Sequence, residues 1–296
     1  MLKSGIYEDM HSTSLFEWTS DEGARIASPI PSLIKWTGSK RSTAHQIAKF
    51  VPPHNRYIEP FVGGGALLYC LARPGSVASD LYQPLIEIWR AVQSDPAGLV
   101  RKYADDWSAL QNQFPEYFYE VRERFNADPN GQDLLFLSRT CTNGIIRFNS
   151  KGEFNNSLHV TRRGMKPQRF KEVVIAWHNR IKGVTFQNAD YQGILAETKT
   201  GDFVYLDPPY AGSNNRYVAS LDKERLFASL EALNKRDVKW ALSYDGTRGK
   251  TSYTVEIPRE LYRQKIMLKS GLSAVKRVLG ENLETVEETL LMNYEH

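Results

Sequence analysis

The chain has 296 residues, 41% of them hydrophobic and 24% charged. These are ordinary globular values that suit one large domain or two modest ones and exclude wholesale disorder. The 38 Lys+Arg against 34 Asp+Glu give a formal charge of +4, which excludes a polycation or a strongly acidic tail protein and names no partner.

Two cysteines, Cys70 and Cys141, are too few for a zinc site of about four ligands or for a disulfide framework. The expected setting is therefore a reducing cytosol. None of the six histidines has metal-like spacing to another, and no metal is expected. No apolar run approaches the roughly 18 residues of a membrane span, and the acidic N-terminus has no secretory core.

Residues 1–31 mix Ser, Thr, Asp, Glu and Pro without apolar periodicity and read as an arm. An apolar stretch at 33–36 and a Gly turn precede a helix over 42–50. A strand at 56–61 runs into Gly63, Gly64 and Gly65, and a helix starts at Ala66. A second strand, 77–80, ends on Asp80. Apolar spacing near 3.6 then predicts helices over 84–93, 96–106, 115–126 and 132–141, with Trp89 and Trp107 at core positions.

Between 144 and 158, Gly and Asn separate short apolar pairs, which predicts a hairpin with loops. A helix over 166–182 carries Trp177, again a core position. Strands at 184–186 and 203–206 flank a short helix near 191–197. A helix over 222–235, a buried strand at 239–244 and two late strands at 262–268 and 286–294 complete the chain. Alternating strands and helices on both sides of 84–183 imply an α/β sheet domain, residues 32–83 and 184–296, interrupted by an insertion at 84–183.

Charge is unevenly placed along this frame. Residues 75–138 hold five basic and ten acidic side chains, whereas 139–183 hold ten basic and two acidic, a net +8. A short block of that sign makes a field that attracts phosphates, although a charge run by itself is more often a solvated face.

Three motifs carry chemistry. Glycines 63–65 after a strand allow a sharp turn and close approach to a ligand. Asp80, at the end of the next strand, is placed to accept the ribose hydroxyls of a nucleoside. Position 68 is Leu rather than Gly, which weakens a dinucleotide fingerprint and leaves a dehydrogenase as a distant reading; the Gly249-Lys250-Thr251 triplet has Tyr244 where a P-loop needs its first glycine, which removes a P-loop.

Asp207-Pro208-Pro209-Tyr210 follows an apolar strand at the carboxyl edge of the sheet, where open α/β sheets keep their sites. An exocyclic amine on a base is a poor nucleophile because its lone pair is delocalised into the ring. The Asp207 carboxylate and the Pro208 carbonyl can accept both its N–H protons and expose that lone pair. The prolines fix φ and hold the acceptors rigid, and Tyr210 offers a face on which a planar base stacks.

The order Lys35-Trp36-Thr37-Gly38-Ser39-Lys40, Phe61 to Gly65, Asp80 and Asp207 to Tyr210 resembles the Dam-like DNA adenine-N6 methyltransferases over roughly residues 32–296. The stretches 139–149 and 152–155 are similar to that family's target-recognition segment.

The resemblance implies a Rossmann-like, mostly parallel sheet with one antiparallel strand and an inserted, mainly helical target-recognition domain containing a β-hairpin. It implies S-adenosylmethionine as methyl donor, S-adenosylhomocysteine as product, and duplex DNA as partner through base flipping, in a bacterial, archaeal or phage-host cytosol. Trp36 and Lys40 would lie beside the cofactor. Phe61 and Gly63, Gly64 and Gly65 would wrap its methionine part, Asp80 its ribose, and Asp190 and Tyr191 its adenine.

Asp207, Pro208, Pro209 and Tyr210 would take the target adenine, with Ser243, Tyr244 and Asp245 near its pocket. Arg147 matches a position that reads guanine, and Asn143, Asn149, Lys151 and Asn155 could touch bases or phosphates. For those Asn residues turn geometry is an equal explanation.

GATC-reading members carry an aromatic before Asn-Gly and a Pro-aromatic pattern after Phe-Asn. This chain has Thr142 and then Asn156, Ser157, Leu158 and His159, so adenine is expected as target without GATC. The alternatives are another amine (cytosine N4, an RNA base or protein glutamine) or a DNA-binding regulator without catalysis. A partner restriction endonuclease is left open.

Overall fold

The structure is a computed structural model that describes residues 29–209, 222–248, 251–252, 257–272 and 285–296. Its centre is a sheet in the order β3-β2-β1-β4-β5-β8-β7. The strands are β1 (Tyr57–Glu59), β2 (Val77–Asp80), β3 (Thr185–Asn188), β4 (Phe203–Leu206), β5 (Lys239–Arg248), β6 (Thr251–Ser252), β7 (Gln264–Leu272) and β8 (Thr285–Met292). Neighbours from β3 through β5 pair in parallel, while β8 runs antiparallel to both β5 and β7, and the short β6 pairs antiparallel to β5. The single reversed strand of the main path matches the expectation; β6 had no signal of its own in so short a segment.

The central strands are buried on both faces, as a parallel sheet covered by helices requires. In β4 all four residues are buried, and their alternation sends Phe203 and Tyr205 into one apolar cluster and Val204 and Leu206 into the other. Tyr57 and Ile58 of β1 divide the same way.

The larger cluster is covered by α1 (Ala44–Ile47), α2 (Ala66–Leu71) and the five helices between β2 and β3. These are α3 (Gln83–Ser94), α4 (Pro96–Asn112), α5 (Glu116–Ala127), α6 (Gly131–Thr140) and α7 (Pro167–Arg180). The smaller cluster lies under α8 (Tyr191–Ala196) and α9 (Lys223–Lys235). Proline in the first turn starts α3, α4 and α7, where its missing N–H costs nothing. Asp95, Asn130, Asp190 and Asp222 cap α4, α6, α8 and α9 through their side chains.

The chain between β2 and β3 is one long crossover linking adjacent parallel strands. Its first and last helices, α3 and α7, meet over the sheet. Trp89 and Trp177 are fully buried with ring centroids 4.7 Å apart, and Trp89 stacks on Phe186 of β3. Trp107 is only partly buried against the same core.

The hairpin takes the form of two isolated antiparallel bridges, Phe148↔Phe154 and Cys141↔Leu158, with a 3-10 turn at Thr142–Gly144. Asn126 of α5 ties it down, donating to the Phe154 carbonyl and accepting from the Phe154 N–H. Of the expected arm, residues 1–28 lie outside the described residues; Ile30 is buried and the Pro31 carbonyl accepts from the Trp177 indole. No helix among the described residues is long and apolar enough to cross a membrane.

Candidate active site

Strand β1 lies between β2 and β4, and the chain leaves it on one side for β2 and reaches it from the other through β4. The carboxyl ends of these three strands therefore converge at the crevice where open α/β sheets bind ligands. A cavity of about 210 Å3 occupies that position. Trp36, Lys40, Phe61, Gly63, Gly64, Gly65, Asp80, Asp190, Tyr191, Asp207, Pro208 and Pro209 all line it, although up to 173 positions separate them in sequence. Tyr210 lies outside the described residues, as does the side chain of Asp245.

The glycine loop is held against the next strand. The Gly63 N–H donates to Asp80 Oδ2 at 3.2 Å, and the Tyr82 N–H donates to Oδ1 at 3.0 Å. Gly63 has φ +44, and a Cβ there would fall 2.9 Å from Trp36 Cδ1, so only glycine lets the loop close over the indole. Burial pushes the Asp80 carboxyl up to about 6, with the backbone N–H bonds opposing the shift.

At the far wall, Lys40 Nζ sits 2.6 Å from Asp207 Oδ1 with its side chain 3% exposed, and it also donates to the Gly38 carbonyl. The lysine expected beside a cofactor thus pairs with the aspartate expected to take the target, and joins the two halves of the cavity. A buried pair of this kind is costly to break, because the survivor keeps an uncompensated charge.

Glu59, at the end of β1, also lines the cavity and is fully buried, with the Tyr57 hydroxyl donating to Oε2 at 2.7 Å. Burial pushes its carboxyl up to about 8, and the Asp207 carboxylate adds to the rise against the Tyr57 bond and the Lys40 ammonium. At neutral pH it is mostly protonated and adds little charge beside the Lys40–Asp207 pair.

Aromatic rings form the remaining walls. Phe61 and Tyr191 lie 5.1 Å apart at one end; Trp36, Tyr82 and Phe148 follow one another at the other. Asp190 caps α8 by accepting from the Gln192 N–H, and Arg225 reaches it at 3.4 Å while bonding Gln192. Behind the cavity Tyr205 and Ser243 share a buried hydrogen bond of 2.7 Å.

Glu59, Tyr82, Phe148 and Arg225 were not anticipated. Glu59 and Tyr82 sit two positions from the motif residues Phe61 and Asp80, and Phe148 lies between Arg147 and Asn149; that proximity was the available signal. Nothing local marked Arg225, which comes into place through α9.

The hairpin residues are arranged differently. Asn149 accepts from the N–H groups of Lys151 and Glu153 and donates to the Glu153 carboxylate. Asn143 holds a left-handed conformation at φ +57, which asparagine tolerates. Arg147 is exposed and donates from Nε to Asn155 Oδ1 and from Nη2 to the Asn155 carbonyl. Lys151 is exposed at the turn. These residues form one surface beside the cavity, since Phe148 between them is part of its wall.

The family model for D12 class N6 adenine-specific DNA methyltransferases matches residues 36–275. Type II methyltransferase M.MjaIII of Methanocaldococcus jannaschii is 29% identical over 301 residues, covering 90% of this chain and 99% of the relative. A DNA adenine methylase of Serratia marcescens is 32% identical over 61% of this chain and 67% of its own length. Type II methyltransferase M1.LlaDCHI of Lactococcus lactis is 29% identical over 60% of this chain and 64% of the relative. With the family model covering most of the chain and the cavity assembled from its motifs, the protein belongs to the D12 class of N6 adenine-specific DNA methyltransferases.

Proposed function

We propose that this enzyme transfers a methyl group from S-adenosylmethionine to N6 of an adenine extruded from duplex DNA into the cavity. The observation that carries the reading is the Lys40-paired Asp207, followed by Pro208 and Pro209, facing the glycine loop and Asp80 across a single cavity.

The residues present fit the cofactor. The loop at 63–65 closes so tightly over Trp36 that a Cβ has no room. Asp80 retains acceptor capacity beyond its two backbone bonds, because a carboxylate offers about four lone-pair sites. It would accept the ribose hydroxyls, Asp190 would accept from the adenine amino group, and Phe61 and Tyr191 offer ring faces. When bound, S-adenosylmethionine supplies an electrophilic methyl group on sulfur and leaves as S-adenosylhomocysteine.

The chain's own part is to hold the acceptor amine. Extruding the base costs a few kcal/mol, which contacts to the distorted duplex offset. Lys40 fixes Asp207, so that carboxylate and the Pro208 carbonyl accept the two amino protons together and direct the nitrogen lone pair away from the ring. Proline at 208 and 209 keeps those acceptors from rotating, and Tyr210 would stack on the base. The methylated nitrogen is transiently cationic and sheds its proton readily, so Asp207 needs to accept a hydrogen bond rather than act as a strong base.

Arg147 is the side chain placed to read a base, and Arg to guanine is the commonest specific contact in the major groove. Asn143, Asn149, Lys151 and Asn155 belong to the same surface, with the asparagines acting mainly through the turn they build. DNA and donor share the cytosol, which is where the enzyme would act. An endonuclease cutting the same site would be a partner through DNA rather than by contact.

The test is incubation with labelled S-adenosylmethionine and duplex DNA, RNA or protein, followed by nucleoside analysis. N6-methyl-2′-deoxyadenosine from duplex DNA is the expected product. N4-methylcytosine, a methylated RNA base or methylglutamine would overturn the reading.

A further inference from the structure

Basic side chains gather around the segment 30–35 beside the foot of the hairpin: Arg41 bonds the Ile30 carbonyl, Arg139 those of Ser32 and Leu33, and Lys35 lies against Gly144. Lys35 is half-buried against Gly144, where an added Cβ would overlap its side chain. Arg139 of α6, Arg162 in the segment after the hairpin, and Arg41 act on its ammonium.

Among the described residues neither Arg41 nor Arg139 faces an acid. The Arg139 guanidinium donates to the carbonyls of Ser32 and Leu33 and contacts the Met165 sulfur, and Arg41 donates to the Ile30 carbonyl. Among the described residues none of the four forms an ion pair. Burial, followed by the charges of Arg139 and Arg162, pushes Lys35 below the ordinary lysine range, with only Cys141 opposing. Repulsion of this kind is unfavourable in the free protein and is relieved by an anion.

The place of the cluster identifies the anion. Lys35 precedes Trp36 of the cavity wall, and Gly144 begins the segment leading to Arg147 and Phe148. An adenine inside the cavity leaves its sugar and flanking phosphates at the mouth, within one nucleotide's reach. Sequence reading needs hydrogen-bond partners aimed at base edges, whereas a knot of cations held by neutral carbonyls is suited to a phosphodiester.

We infer that Lys35 and Arg162 grip a backbone phosphate flanking the extruded adenosine, with Arg41 and Arg139 supplying the field behind them. This rests on the duplex-DNA reading above. The contact acts on the substrate backbone, separately from cofactor and target-base contacts, and serves every sequence alike.

The experiment uses the full chain with S-adenosylhomocysteine and a duplex bearing the site found by sequencing modified DNA. Affinity is measured against salt, with the natural duplex and with single neutral methylphosphonates on either side of the target adenine. For the wild type, one of the two methylphosphonates is expected to weaken binding about tenfold. Lys35→Gln should lower the salt slope by about 1 and weaken all sequences uniformly.

In that variant the same methylphosphonate should cost no more than about twofold, because the phosphate's partner is already gone. Arg162→Gln, an exposed position, repeats the test without risk to the core. Equal methylphosphonate penalties in wild type and both variants, with duplex binding intact, would overturn the phosphate assignment alone. A wild type with no duplex affinity would overturn the DNA reading itself.

Discussion

The cavity and the hairpin use polar side chains in opposite ways. In the cavity, Asp80, Asp207 and Lys40 are partnered so as to remain facing a shared space. In the hairpin, Asn149, Asn155 and Asn156 place their hydrogen bonds within the turn, and buried Asn156 donates to the carbonyls of Thr142 and Ile145. Residue type alone therefore does not separate a ligand-facing group from a scaffold group; where its hydrogen bonds go does. The cavity should answer to chemistry and the hairpin mostly to geometry, with Arg147 as its exception.

The largest break in that comparison comes from Lys40→Met. It removes the ammonium that faces Asp207 in a mostly buried wall, at a cost of about 3 kcal/mol. Methyl transfer should fall on the order of a hundredfold. A thermal melt and single-turnover rates check both; a normal rate would show that the pair has no part in holding the amine.

Smaller effects sharpen it. Burial raises the folded pKa of Glu59 to about 8 from 4.5. Between these values the folded state holds a proton that the unfolded state has released, so this group's contribution to stability falls as pH rises through that window. Glu59→Gln removes the dependence, and its stability relative to wild type should grow by up to roughly 1.4 kcal/mol per pH unit across it. Denaturant melts at pH 5 and pH 8 would show no divergence if Glu59 were ionised throughout.

On the hairpin, Arg147→Ala should cost roughly 1–3 kcal/mol of duplex discrimination. Asn149→Ala should cost about 1 kcal/mol of stability with little change in duplex affinity. Binding to matched and single-mismatch duplexes, beside thermal melts, separates the two; reversed outcomes would move the base-reading role to Asn149.

Asp80 gives the mildest effect. Its folded-state pKa of about 6 means that a carboxylate free to accept ribose hydroxyls is lost as pH falls through that value. Cofactor affinity should weaken several-fold from pH 7 to pH 5.5. Asp80→Asn should bind more weakly at every pH and without that slope. Calorimetry with S-adenosylhomocysteine checks this.

Much of the fold was readable because its signals are local. Apolar periodicity located the helices to within about two residues, except that α4 runs six residues past the expected end at 106, to Asn112, and the all-apolar β4 announced a strand covered on both faces. The glycine loop, Asp80 and Asp207 were readable because each terminates a strand, and strand ends of a parallel sheet share one edge.

The Lys40–Asp207 pair was not readable. It spans 167 positions and joins the turn before α1 to the residue that follows β4, which no single segment encodes. Glu59 looked like an ordinary strand-end acid until its burial gave it a proton. The asparagines of the hairpin were ambiguous in sequence because turn and contact demand the same residue. The net charge of +4 hid both an acidic helical stretch and the basic block that supplies Arg139, Arg147 and Arg162.

The most direct measurement is tritium transfer to duplex DNA by Asp207→Ala, beside titration of the same variant with S-adenosylhomocysteine. The account predicts loss of transfer by about a thousandfold or more with cofactor affinity within a few-fold of wild type. Retained transfer, or transfer and cofactor affinity lost together in a folded protein, would contradict it.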